Sequence, residues 1–194
     1  TIIDTITSGE KKLSSSDTRN DEIGRLAKSL NRMAIINEEQ AWIQSGTAEF
    51  LELLQKSDST KHLSQTVISK LCSYLKIGYG VIFILNEDKQ CYELFGSYGY
   101  NERKHLCNSF KIAEGLSGQC ALEKEIILLN NVPEDYVRIN SGLGEATPLN
   151  LLLIPVIHQD KVQAVVELAS FQPFTKSHQT FLQGLIPTLA ISLN

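Results

Sequence analysis

Long apolar runs are missing from this chain of 194 residues. No stretch approaches the roughly 18 consecutive apolar residues that a membrane-spanning helix needs, so the chain itself is not expected to cross a bilayer. A basic excess is missing too: 18 Lys and Arg stand against 22 Asp and Glu, for a net charge of −4. The densest basic stretch, Lys11 and Lys12 with Arg19 and Arg25, is interrupted by Asp17, Asp21 and Glu22. That composition describes a solvated surface and excludes a basic stripe for nucleic acid. The four cysteines, Cys72, Cys91, Cys107 and Cys120, form no C-x-x-C pair and lie in or beside apolar segments. Reduced, buried thiols follow more readily than disulfides. A zinc site would need clustered Cys and His, and the only near pair is His105 with Cys107. There is no G-x-S-x-G, no Walker loop and no glycine-rich phosphate cradle, so no catalytic constellation is expected. A signal peptide is also absent, and the chain opens on Thr1 rather than Met, which suggests a segment of something longer.

What is present fits one globular domain plus an extension, with 42% hydrophobic and 21% charged residues. A chain of this length can bury a core without metal or disulfide. Gly9 and the run Ser14–Asp17, with Leu13 as one inward anchor, read as a connector. Asp21 and Glu22 then precede a long helical pattern, as acidic groups in a first turn should. Residues 23–55 hold no proline. Ile23, Leu26, Leu30 and Met33 recur at spacings of 3, 4 and 3, a heptad seam. The apolar face then shifts to Ile36, Ile43 and Phe50, with Gln40, Thr47 and Leu54 between, a stammer-like slip. A helix with so thin a seam should pair with a copy of itself.

Leu63, Val67, Ile68, Leu71 and Leu75 keep the 3.6-residue period and predict a helix over 60–75. Residues 79–85 are apolar on both faces, as in a central strand, and 90–98 alternate, with the polar turn 86–89 between them. Short strands are expected at Phe110 and Ile112 and at 126–129, around a helix over 116–124 that carries Ser117 and Gly118 in its first turn. Pro133 opens a turn, with Tyr136, Val137 and Ile139 expected on a short helix and 141–144 as a loop. Residues 151–157 and 162–169 read as strands joined at Gln159 and Asp160, and Thr175 as the N-cap of a last helix to about residue 192, with a possible kink at Pro187. Two hairpin-linked strand pairs separated by helices make an α+β fold, an antiparallel sheet flanked by helices, with a long N-terminal helix.

Two resemblances attach to these residues. The run Asp21-Glu22-Ile23-Gly24-Arg25-Leu26-Ala27, followed by Leu30-Asn31-Arg32-Met33, resembles the second helix of a HAMP domain, with Gly9 and Leu13 fitting its connector. Residues from about 45 to 194 resemble a GAF domain through Gly115-Leu116-Ser117-Gly118-Gln119-Cys120-Ala121, through 151–156 with Pro155, and through Val165-Val166-Glu167-Leu168-Ala169-Ser170 with Phe174. Residues 37–43 look like the linker of HAMP-GAF histidine kinases, often hybrid ones. The resemblance implies three parts: the C-terminal portion of a HAMP domain over 1–36, a coiled-coil signalling linker and first GAF helix over 37–55, and a GAF sensory domain over 56–194. It further implies the cytoplasmic region of an inner-membrane receptor of a bacterial two-component system, without catalysis of its own, whose membrane segment lies upstream and whose kinase lies downstream. The expected partner is a second copy along the helix seam Ile23, Leu26, Leu30, Met33, Ile36, Ile43 and Phe50. No nucleic acid is expected.

The resemblance also places a small-molecule pocket under residues 95–145 or so. Candidate lining groups are Tyr98, Phe110, Leu116, Tyr136, Ile139 and Leu153, which would equally serve as core. Glu167, inside an apolar strand, is costly if ionised and unpaired. It either accepts a ligand's hydrogen bond or pairs with an arginine or a backbone amide, and the structural role is favoured. The cyclic-nucleotide signature of the family is broken: Ala169-Ser170 stand for Asn-Lys, Phe174 is kept, and His178-Gln179 stand for Asp-Glu. No Cys-His dipeptide exists for a bilin, and His105 alone is a weak haem ligand. The ligand and any cofactor stay unknown. Three rivals remain: a ligand-free dimerisation spacer, a receptor with cyclase or chemoreceptor output, and a small enzyme like the free-standing GAF-fold reductases, which would need redox-active thiols.

Overall fold

The computed structural model describes residues 22–55, 59–99, 108–132, 139–141 and 144–193. The expected connector over 1–20 and the first residue of the HAMP-like run lie outside them. The chain divides into two units, residues 1–44 and residues 45–194.

Helix α1 (Glu22–Gln55) is a single element, as its lack of proline allows, with Glu22 in its first turn. In the first unit its large apolar groups are largely uncovered: Ile23 is 68% exposed, Leu26 61% and Met33 60%, and Ile35 and Ile36 are exposed as well.

In the second unit, α2 (Thr60–Leu75) buries the expected stripe Leu63, Val67, Ile68, Leu71 and Leu75 and ends on Lys76 in the left-handed conformation. There follow β1 (Tyr79–Asn86), β2 (Cys91–Tyr98), β3 (Ser109–Phe110), α3 (Gly115–Glu123), β4 (Ile127–Asn130), β5 (Ile139–Ser141), β6 (Gly144–Ala146), β7 (Asn150–His158), β8 (Lys161–Ser170) and α4 (Lys176–Ser192). Six strands form one antiparallel sheet in the order β3-β2-β1-β8-β7-β4, and β5 and β6 form a separate hairpin. Gln159 and Asp160 both take positive φ, the geometry a two-residue hairpin demands. The Thr175 hydroxyl accepts the His178 amide at 3.1 Å and caps α4, which runs through Pro187.

The strand register sorts side chains onto two faces. Ile82, Val166 and Ile154 form one row of the first face, and Gly80, Leu168 and Leu152 the next. Helix α2 lies hard against this face: a Cβ at Gly96 would sit 2.7 Å from the Ser64 carbonyl, and one at Gly80 would sit 2.4 Å from Cys72 Sγ. The base of α1 is tied to the same layer. Phe50 is 0% exposed, with the Tyr74 and Phe181 rings at 6.1 and 5.6 Å. Lys70 pairs with Glu49 at 2.7 Å. On the second face, Tyr79, Val81, Phe83, Leu151, Leu153, Val165 and Ala169 pack with Tyr92 and with Cys120 and Ala121 of α3.

Three expectations are corrected. Phe50, read as a seam residue, is core, because α2 and α4 supply the apolar cover that a second copy was expected to supply. Ile139 lies in β5 rather than in a helix, since 139–141 find antiparallel backbone partners in 144–146. Ile112 lies beyond β3 in a turn and is exposed.

Candidate functional site

A carboxyl group in the middle of the sheet marks the site. Glu167 of β8 is flanked by Val81 of β1 and Leu153 of β7, and Leu153 in turn by Ile127 of β4, so the residue is central in a row of otherwise apolar groups. It is 6% exposed. In place of the arginine or backbone amide expected as its structural partner, the geometry brings a serine. Ser117 Oγ donates to Glu167 Oε2 at 2.8 Å.

Helix α3 delivers that serine. Its first residue, Gly115, has φ of +65°, which turns the chain into the helix without strain. A Cβ at Gly118 would sit 2.5 Å from the Lys111 carbonyl oxygen, so a side chain there would hold the first turn away from the sheet. The small residues of the Gly115-Leu116-Ser117-Gly118 run therefore allow the close approach that Ser117 needs. Cys120, one turn on, is fully buried, and its thiol donates to the Glu125 carbonyl at 3.4 Å.

The electrostatics follow from burial. Loss of water raises the Glu167 carboxyl above its ordinary range, and the Ser117 hydrogen bond opposes that rise. Burial, with Glu123 and Glu167 nearby, pushes the Cys120 thiol up to about 12. Burial likewise pushes the Tyr92 hydroxyl up to about 12, where it donates to the Val162 carbonyl at 2.8 Å. This environment favours neutral groups. It keeps Cys120 a thiol at neutral pH and thereby a poor nucleophile.

Of the expected lining residues, Phe110, Leu116 and Leu153 come together with Glu167 on this face. Phe110 stacks on Tyr92 at 5.0 Å and meets Phe83 edge-on at 5.0 Å. Tyr98 does not join them. It pairs with Gly80, on the row facing α2, and is 39% exposed. The β-bulge between Ile82 and Phe83 shifts the register, so a count from Tyr92 and Leu94 misassigns the far end of β2. Ile139 belongs to β5 by its backbone, and Tyr136 lies outside the described residues, as do His105 and Cys107. Ser117, Tyr92 and Phe83 belong to the site but were not among the expected lining residues. The Ser-Gly pair in the first turn of α3, the alternation of β2 and the two-faced apolar run of β1 were their respective signals.

Among the described residues, no group of three His, Cys, Asp or Glu side chains could hold a metal, and no helix is long and apolar enough to cross a membrane.

The family model described as GAF domain matches residues 57–194. No curated protein matches the chain. Among solved structures, the chain is similar to the GAF domain of an Acinetobacter phosphoenolpyruvate-protein phosphotransferase, at 24% identity and a TM-score of 0.65, covering 77% of this chain and 91% of that one. It is also similar to the A. Aeolicus nlh2 GAF domain in an inactive state, at 20% identity and a TM-score of 0.63, covering 79% of this chain and 96% of that one. A third is the free methionine-R-sulfoxide reductase of Neisseria meningitidis in complex with its substrate, at 10% identity and 0.63, covering 78% and 87%.

Proposed function

The chain belongs to the GAF domain family, and from that premise we propose that it is the non-catalytic sensory and regulatory region of a membrane-bound signalling receptor, a histidine kinase of a two-component system. In this reading the parent sits in the inner membrane with this region in the cytoplasm, residues 1–36 end a HAMP relay, and α1 passes the signal as a helix paired with its copy. A small molecule binding one packing state of the sensory domain better than the other would tilt the balance by that difference in affinity. The supporting observation is the uncovered apolar seam of α1, with Ile23, Leu26 and Met33 each more than half exposed. Surface helices that face water all round do not carry such a stripe at heptad spacing.

Two experiments test the reading. Sedimentation equilibrium of the whole chain should show a reversible dimer, and a compact single copy at high concentration would end the relay account. In the full receptor, Leu at Asn37, Gln40 and Thr47 should lock one helix packing and fix kinase output; unchanged output would remove the mechanism. A ligand-free spacer in a receptor with cyclase or chemoreceptor output is the alternative. A thermal-shift screen separates it, since a ligand raises the melting temperature with its concentration.

The reductase among the similar structures favours a second, enzymatic reading. It would need a reactive thiol, and Cys120 is fully buried with its thiol pushed up to about 12. Slow alkylation of Cys107 and Cys120 in the folded chain, with no turnover of free methionine sulfoxide, would dispose of it.

A further inference from the structure

At one point of the second unit a side chain of α2 stands where a strand would. We propose that Gln65 guards the open edge of β2: its carboxamide occupies the backbone groups of Ser97 as a neighbouring strand would, and so keeps a second copy of the chain from pairing there.

The outer side of β2 is only partly covered. Its edge partner β3 is two residues long and pairs with Tyr92 and Glu93. One more bond, from the Leu94 amide to the Asn108 carbonyl at 2.8 Å, extends that cover. Beyond it, among the described residues, no strand pairs with the outer side of β2. Ser97, whose neighbour on the inner side is Val81, meets Gln65 there instead. Gln65 Nε2 donates to the Ser97 carbonyl at 2.8 Å, and the Ser97 amide donates to Gln65 Oε1 at 3.1 Å. A residue in an antiparallel ladder exchanges both of its backbone groups with one partner in the same way.

Two features hold the carboxamide in place. A Cβ at Gly96 would sit 2.7 Å from the Ser64 carbonyl and 2.8 Å from the Gln65 backbone nitrogen, so the missing side chain lets the helix lie on the strand beside Ser97. Gln65 Nε2 also donates to Ser69 Oγ, one turn on, at 3.1 Å. Gln65 is exposed. Fixing a long exposed side chain costs rotamer freedom that no burial offsets. Three hydrogen bonds on one surface carboxamide therefore mark a position that the fold specifies.

The edge lacks the usual protection. Unpaired N–H and C=O groups along a strand are a template for another chain, and natural edges are blunted by charge, proline or a bulge. Leu94-Phe95-Gly96-Ser97-Tyr98 holds no charge and no proline. The bulge opposite Ile82 and Phe83 lies before Ser97 and leaves that residue in register with Val81. An antiparallel copy of the same edge would pair with it at Ser97, N–H to C=O and C=O to N–H, about a two-fold axis. A carboxamide suits the guard because it carries donor and acceptor on one carbon. A carboxylate would set an acceptor against the Ser97 carbonyl, and asparagine is one methylene shorter.

The test uses the whole chain, read against wild type at equal concentration, so that any pairing through α1 is common to both. In Gln65→Ala the Ser97 amide should exchange its hydrogen at least about tenfold faster by NMR. Sedimentation velocity of that variant at about 0.5 mM should show species larger than wild type. Gln65→Glu at neutral pH should behave as Gln65→Ala does. Adding Ser97→Pro to Gln65→Ala removes the edge donor and should return the wild-type size. Adding Tyr98→Lys instead, a charge on the same edge, should do the same where the proline variant does not fold. A Ser97 amide that exchanges no faster in Gln65→Ala overturns the proposal. So does a Gln65→Ala chain no larger than wild type, or an association that survives both second changes; Gln65 would then be a tie between α2 and β2 and no guard.

Discussion

Met33 and Phe50 lie in the same helix, within one continuous run of backbone hydrogen bonds, yet the first is 60% exposed and the second is fully buried. Their sequence surroundings give no reason for the difference. Around Phe50 the chain folds back twice: α2 brings Tyr74 and Lys70, and α4 brings Phe181. Around Met33 no described element of its own unit returns. Past the slip of the apolar face between Met33 and Ile36, the helix carries Phe50 into the core of the second unit. On a helix advancing about 100° per residue, the seam of residues 23–33 and the face of residues 43–54 are centred roughly 100° apart. The lesson is that one helix can bury one apolar face in its own domain and leave another exposed within the same chain.

The most direct way to break this contrast is to truncate both ends of it. Phe50→Ala should cost about 3–5 kcal/mol of stability in chemical denaturation, since it empties a ring-lined site. Leu26→Ala, at a concentration where the chain is a single copy, should stay within about 0.5 kcal/mol of wild type. Equal losses would show that residues 22–44 are covered within one chain.

A second contrast is between covered and open glycines. Gly96→Ala should destabilise by about 1–3 kcal/mol, because its Cβ would meet the Ser64 backbone at 2.7 Å. Gly184→Ala, in α4 with nothing within 4 Å of the new atom, should stabilise by about 0.5–1 kcal/mol. Thermal melts of the two variants decide it, and a destabilising Gly184→Ala would mean that α4 has a neighbour on that side.

Glu167 sharpens the comparison of the two sheet faces. Its folded-state pKa is raised by burial above the ordinary 4.5. The folded chain thus holds the proton more tightly than the unfolded one. That contribution is fully present below the unfolded value and is lost as pH rises toward the folded one. Glu167→Gln should remove this decline, so the stability difference between variant and wild type should grow from pH 4 upward and then level off. A flat difference in urea denaturation across that range would mean that a cation in the folded chain compensates the carboxylate.

Much of the architecture was legible before any coordinates. The stripe of α2, the apolar run of β1 and the cap at Thr175 are local patterns with local causes. The site was legible in part. Phe110, Leu116, Leu153 and Glu167 converge, and an apolar strand interrupted by a carboxylate is a conspicuous signal. Tyr98 was misassigned because a single bulge inverts the faces beyond it, and bulges leave little trace in one sequence. Ile139 was misassigned because three residues cannot establish a period.

Composition and periodicity alone determined that this chain makes an α+β domain with a long helix before it, because helix and strand propensities act over neighbouring residues. Only the tertiary structure decided that Ser117 satisfies Glu167, across fifty positions of sequence, and that Phe50 belongs to the core while Met33 does not. Burial depends on which remote element comes to lie over a side chain, and that is a property of the folded whole.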